Sequence, residues 1–255
     1  ILHTRILLLS HRLSPAEAEH PMHVHFDELD LDAGCGWEAP LRGSRSEVKR
    51  ATLKLTGDVV ACKSVRVADQ IGRRQMLKEI DRLASSDECP NLVKFYGGFN
   101  GNGIWVHMVL EYMDLGSLSD LVGRYRDGEL IPHAMLACIA KQMMQGLDHL
   151  HRNKLMHRNI TPGNILHNSD GWVKLTDFDL IPNNSSEETM ICDTKTYMSP
   201  EKCMGESSDF SADIWSCGMV LYEVATGRYP FGDHCTMQEL FECLCEKPEP
   251  CLDAS

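Results

Sequence analysis

The feature that most constrains this 255-residue chain is a change in the spacing of its apolar residues part-way along. Before Met113 they come in short runs. Val59-Val60-Ala61-Cys62-Lys63 is rich in β-branched side chains and ends on a lysine, and Thr56-Gly57-Asp58 ahead of it reads as a hairpin turn. Asn91 to Phe99 and Ile104 to Tyr112 are further strand-like runs. Between these strands, from Gln70 to Leu83, Met76, Leu77, Ile80 and Leu83 share one helical face. After Ser117 the period is helical. Leu136, Ile139, Ala140, Met143, Met144, Leu147 and Leu150 recur at helical steps in a helix opened near Pro132. Residues 212–225 are apolar nearly all round, which predicts a helix at the centre of a lobe, with Ser211 as its N-cap and Gly227 and Pro230 closing it. A helix-period pattern does not settle as a strand. The expected class is therefore α+β, strand-rich first and helix-rich second, with the boundary at Met113 to Ser117.

Composition narrows the function. Hydrophobic residues make up 43% and charged residues 24%, which excludes a mostly disordered chain. The net charge of −12 argues against nucleic acid as the main partner. Residues 1–112 hold 14 basic and 15 acidic side chains, and residues 113–255 hold 11 and 22, so basic partners are favoured by the second half. The 11 cysteines include no C-x-x-C pair, and Cys62, Cys138 and Cys217 lie in apolar stretches where thiols pack as small hydrophobes. This predicts free thiols and a reducing compartment, the cytoplasm or nucleus. No apolar run is long enough to span a membrane, and none has the form of a signal peptide. Residues 1–25 read as a flexible lead-in. His20, His23 and His25 lie there with no second cluster to complete a metal site.

Two short segments carry the chemistry. His157-Arg158-Asn159-Ile160-Thr161-Pro162-Gly163-Asn164 directly follows the long helix, and Asp177-Phe178-Asp179 begins 13 residues after Asn164. An asparagine and an aspartate on adjacent loops can jointly hold a divalent cation against phosphates. Lys63 is expected to end a strand, and Glu79 to sit mid-helix 16 residues later. A phosphate-binding lysine braced by a glutamate needs that arrangement.

In this order and spacing the chain resembles the eukaryotic protein kinases over about residues 26–250. The resemblance implies a bilobal fold, with an antiparallel-sheet N-lobe carrying one helix at 26–112 and a larger, mainly helical C-lobe at 113–255. It implies ATP with Mg²⁺ as the cofactor. Val60-Ala61-Cys62-Lys63 is similar to the family's phosphate-lysine strand, with Glu79 as the partner of Lys63. Leu110 takes the gatekeeper position, and Glu111-Tyr112-Met113-Asp114 resembles the hinge. Val48, Ala61 and Leu166 match the residues that enclose adenine, and Gly43 matches the middle glycine of the phosphate loop. Asn164 and Asp177 match the metal ligands. Leu83, Phe95, His157 and Phe178 match a stacked apolar column. Ser199-Pro200-Glu201 resembles the A-P-E motif.

Within the kinases the resemblance is to the MAP kinase kinases. It rests on the segments Asn91 to Phe99, Leu110 to Leu118 and Thr196 to Glu201. It implies an upstream kinase and a MAP kinase as partners. Ser185 and Thr189 have the spacing of that family's two phosphorylated hydroxyls, with Ser186 beside them and Arg158 as the arginine of the catalytic loop. All three are also ordinary polar loop residues.

The chain departs from the template at its catalytic centre. The family's loop reads H-R-D-L-x-x-x-N, and Asn159 stands at the position of the aspartate base. Thr161 stands where the family has a lysine that neutralises the transferring phosphoryl group. Leu41 and Ser46 replace two glycines of the phosphate loop, Asp179 the glycine of D-F-G, and Asp193 the glycine before Thr194. The family also continues past Ser255 through further helices, so the resemblance implies an incomplete C-lobe. Three readings stand at this point: a pseudokinase acting through partner binding, a low-activity Ser/Thr or dual-specificity kinase acting on a MAP kinase, or a non-functional kinase fragment.

Overall fold

A computed structural model describes residues 28–31, 46–67, 71–74, 76, 89–100, 104–125, 130–177, 197–206, 209–232, 239 and 242–244. Its strands are β1 (Leu29–Leu31), β2 (Ser46–Leu53), β3 (Val59–Arg66), β4 (Phe95–Asn100), β5 (Trp105–Glu111), β6 (Ile165–His167) and β7 (Val173–Leu175). Its named α-helices are α1 (Leu118–Arg124), α2 (His133–Arg152), α3 (Pro200–Cys203) and α4 (Ser211–Thr226), with a 3₁₀ turn at Pro162–Asn164. The chain divides into two compact units, 1–88 with 93–112, and 89–92 with 113–255.

In the first unit, β1 to β5 form one antiparallel sheet in the order β1-β2-β3-β5-β4. The expected turn joins β2 to β3. Gly57 takes φ 74°, Leu53 N–H donates to the Asp58 carbonyl at 2.9 Å, and Gly57 N–H donates to the Leu53 carbonyl at 2.8 Å. That left-handed backbone is open to glycine at no steric cost. Alternation along β3 buries Val60, Cys62 and Ser64 and leaves Ala61 and Lys63 on the opposite face. Val60 and Cys62 pack with Leu29, Ala51 and Val109, and Leu53, Tyr96 and Phe99 lie against them. Residues 71–74 and Met76 are helical, as expected of the helix over 70–83. Leu77, Ile80 and Leu83 lie outside the described residues.

The second unit is built on α2. Ile139, Met143, Leu147 and Leu150 are buried along it, but Met144 is 41% exposed and Cys138 is exposed. The buried stripe is thus narrower than the apolar pattern, and the expectation that Cys138 packs as a small hydrophobe is corrected. Cys62 and Cys217 do pack that way, and burial pushes both thiols up to about 12. All six described cysteines are free thiols. Helix α1 opens on a capping box. Ser117 Oγ accepts from Asp120 N–H, and Asp120 Oδ2 accepts from Ser117 N–H at 2.8 Å.

Two further expectations are corrected. In α4 the N-cap is Phe210, not Ser211. Ser211 is the first helical residue, and its N–H donates at 2.7 Å to the carboxylate of Asp209, which satisfies an amide the helix leaves open. Gly227 closes the helix at φ 69° as expected, while Ile214 remains 43% exposed. The run Asn91 to Phe99 is not one strand. Strand β4 begins at Phe95, and Asn91-Leu92 belongs to the second unit, where Leu92 bridges Leu175 and Asn91 Nδ2 donates to Gln142 and to the Val173 carbonyl. Among the described residues no helix is long and apolar enough to cross a membrane.

Candidate active site

In the first unit the register of the sheet gathers the residues expected to meet nucleotide. Opposed residues on antiparallel strands face the same side. Val48 pairs with Lys63, and Ala61 pairs with Leu110, so these four share one face of the sheet. Val48 is 60% exposed, Ala61 and Lys63 are half-buried, and Leu110 is buried. Glu111 N–H donates to the Lys94 carbonyl at 2.9 Å, and the Glu111 carboxylate accepts from Lys94 N–H at 3.2 Å, which fixes the end of β5. Gly43 and Glu79 lie outside the described residues.

In the second unit Met113 is buried and Leu166 is half-buried on β6. Residues 115–117 run along β6. His167 N–H donates to the Gly116 carbonyl at 2.9 Å, and Ser117 bridges Leu166.

The loop His157 to Asn164 is organised by Asp213, from the first turn of α4. This carboxylate is 2% exposed. It accepts the N–H groups of His157 and Arg158, each at 2.8 Å, and pairs with His151 Nε2 at 2.9 Å. Such charge-assisted bonds are stronger than neutral ones and hold Arg158 in a left-handed conformation, φ 62°. The buried His157 ring accepts Asn159 N–H on Nδ1 at 3.3 Å, so its proton belongs on Nε2. Burial pushes His157 down to about 4, against the opposing pull of Asp213 and Asp177.

Asn159, Asn164 and Asp177 come together. Asn164 Nδ2 donates to the Asn159 carbonyl at 2.9 Å, and Thr176 N–H donates to the Asn164 carbonyl at 3.0 Å. Asn159 Nδ2 donates to the Asp177 carbonyl at 3.3 Å, and Asp177 is left-handed with φ 59°. With its nitrogen engaged, Asn164 offers Oδ1 to a cation, and the bond from Thr176 N–H to its carbonyl ties it to the segment that carries the Asp177 carboxylate. That is the hard-oxygen donor set a nucleotide-bound Mg²⁺ takes, so these residues fit the metal.

Arg158, Asn159, Thr161, Ser199 and Lys202 line one shallow depression. Lys202 Nζ donates to the Arg158 carbonyl at 3.3 Å. Tyr197 is anchored on α4. Tyr197 OH donates to Glu223 at 2.5 Å, and Ser216 Oγ donates to the Tyr197 carbonyl at 2.7 Å. Burial, followed by the Glu223 carboxylate, raises the Tyr197 phenol well above its ordinary value. Leu41, Phe178, Asp179, Ser185, Ser186, Thr189 and Asp193 lie outside the described residues.

Sequence reasoning placed Asp213 only within the apolar helix over 212–225 and missed His151, Lys202 and the Tyr197–Glu223 pair. His151 carried one signal. It follows Leu150 at the end of the apolar stripe, where a polar residue facing inward needs a partner.

Residues 42–249 match the protein kinase domain family. The chain belongs to that family. It is 35% identical over 222 residues to mitogen-activated protein kinase kinase 2 of Arabidopsis thaliana, covering 83% of this chain and 60% of the relative. It is 39% identical over 196 residues to mitogen-activated protein kinase kinase 5 of Leishmania mexicana, covering 74% and 36%. To dual specificity mitogen-activated protein kinase kinase 1 of Dictyostelium discoideum it is 36% identical over 203 residues, covering 78% and 30%. Its protein kinase domain is thus similar, over most of this chain, to those of MAP kinase kinases. The chain spans at most about 60% of the length of these relatives.

Proposed function

We propose that this chain is a pseudokinase of MAP kinase kinase type that retains much of its nucleotide site and acts in phosphorylation signalling by binding an upstream kinase and a MAP kinase. The observation that carries this reading is the amide at position 159. Its nitrogen is turned to the Asp177 carbonyl, so the group at the base position has no basic atom to take a proton. General-base help is worth about 10²–10⁴ in rate. Thr161 brings no cation to the same place, which removes an electrostatic contribution to the same transition state.

Bound Mg-ATP supplies the phosphoryl group and the cation that neutralises its charge. Lys63 reaches the phosphates and Glu79 braces it. In the first unit Val48, Ala61 and Leu110 would meet the base, Glu111 would orient it and Gly43 would border the phosphates; in the second unit Met113 and Leu166 would take the hinge and base-contacting roles of the family. Asn164 and Asp177 hold the metal. Ser185, Ser186 and Thr189 take regulatory phosphate, which Arg158 reads. The place of action is the cytoplasm or nucleus.

The preserved group of Asn164 and Asp177 favours a second reading, a kinase of reduced rate, because phosphoryl transfer rests mainly on positioning and electrostatics. The test is incubation of the purified chain with Mg-ATP and a MAP kinase beside an aspartate-bearing relative, with phosphate incorporation counted by mass spectrometry. The expected rate is lower by about 10²–10⁴. A rate matching the relative's, abolished by Lys63→Ala, would reject the pseudokinase in favour of an enzyme.

A further inference from the structure

We propose that Asn159 is a positioning residue. It holds the backbone of Asp177 through a side-chain hydrogen bond that an aspartate at the same place could not make. The inference does not depend on whether the chain transfers phosphate.

The bond runs from Asn159 Nδ2 to the Asp177 carbonyl oxygen at 3.3 Å. The rest of Asn159 is pinned independently. Its N–H is held by His157 Nδ1, and its carbonyl accepts from Asn164 Nδ2. Asp177 is in a left-handed conformation that non-glycine residues rarely adopt, so something must hold it. The preceding residue is held as well, because Thr176 N–H donates to the Asn164 carbonyl. The two asparagines therefore grip consecutive residues of the 176–177 segment.

The polarity of the amide is decisive. A carboxylate in this pose would set an oxygen against the Asp177 carbonyl oxygen, where a hydrogen now bridges the two. The other amide atom, Oδ1, is buried with no hydrogen-bond partner among the described residues, and Asn159 lines the depression beside Thr161. Turning the amide over would leave the nitrogen unbonded instead and oppose two oxygens, so the observed orientation is the favourable one. The replacement at the base position thus supplies a donor as well as removing a base.

The test begins with the unmodified, isotope-labelled chain in solution. The Asn159 side-chain amide should show through-hydrogen-bond coupling to the Asp177 carbonyl carbon, and its bonded proton should exchange with solvent more slowly than that of an exposed asparagine. Asn159→Asp should move the Asp177 carbonyl resonance and lower the melting temperature by about 2–4 °C, the shift for about one lost hydrogen bond in a chain of this size. Exchange at the free-amide rate with no coupling would overturn the proposal. So would an Asn159→Asp chain that melts at or above the unmodified one. If that variant does not fold, the coupling and exchange measured on the unmodified chain decide the matter.

Discussion

Asp213 sets more of the local geometry than any residue that would touch a substrate, because one buried carboxylate fixes two consecutive amides and an imidazole. The His157 it helps to hold gives the chain a titration of its own. Burial keeps His157 neutral, down to about 4 from an ordinary 6.5. His107 and His167 are also lowered by burial, with Lys49 and Arg124 respectively adding to it. In the unfolded chain all three take a proton near their ordinary value. Stability that is fully present above that value is therefore lost as the pH falls toward the folded values, because the unfolded chain then binds more protons. Each group contributes a slope of at most about 1.4 kcal/mol per pH unit. The urea midpoint should fall between about pH 7 and pH 5. His157→Phe should start lower at neutral pH, having lost the acceptor for Asn159 N–H, and then fall less. An equal fall in both chains would show that His157 does not carry the effect.

Two helix glycines separate propensity from packing at the scale of the element. A Cβ on Gly146 in α2 would meet the Asn91 carbonyl oxygen at 2.9 Å and Leu175 Cδ1 at 3.0 Å, while a Cβ on Gly218 in α4 would meet nothing within 4 Å. Alanine gains about 1 kcal/mol over glycine in a helix interior. Gly218→Ala should therefore stabilise by up to about 1 kcal/mol. Gly146→Ala should destabilise by about 1–2 kcal/mol net, because overpacking against backbone costs more than propensity returns. Chemical denaturation of both variants gives the signs, and two changes of the same sign would refute the argument. The same contrast shows why parts of the fold were legible in sequence. The turn at Gly57, strand β3 and the span of α2 follow from residues near in sequence. The division of the run 91–99 does not. It depends on Asn91 bonding Gln142 and Val173, and no local pattern encodes such distant partners. The exposure of Cys138 and Met144 was hidden for a related reason, since neighbours rather than period set the width of a buried stripe.

Across the whole molecule, the order of the motifs carried the family, because each motif constrains chemistry at a known distance along the chain. The network around Asp213 was not legible, since a carboxylate in an apolar helix announces burial without naming its partners. Whether the retained residues still bind nucleotide is a question for the intact chain. Lys63 carries the phosphate contact, and Asp177 the metal contact, of the proposed nucleotide site. Mg-ATP at a hundred times its dissociation constant stabilises a chain by about 2.7 kcal/mol, roughly 5–11 °C of melting temperature at this size. The shift should require Mg²⁺ and vanish in both Lys63→Ala and Asp177→Ala. A shift that survives Lys63→Ala would mean that nucleotide is held elsewhere. A shift independent of Mg²⁺ but lost in Lys63→Ala would mean that Asn164 and Asp177 no longer serve a metal, and the amide at 159 would then belong to a site that binds nucleotide without preparing it for transfer. No shift in a chain that melts cooperatively would leave partner binding as its whole activity.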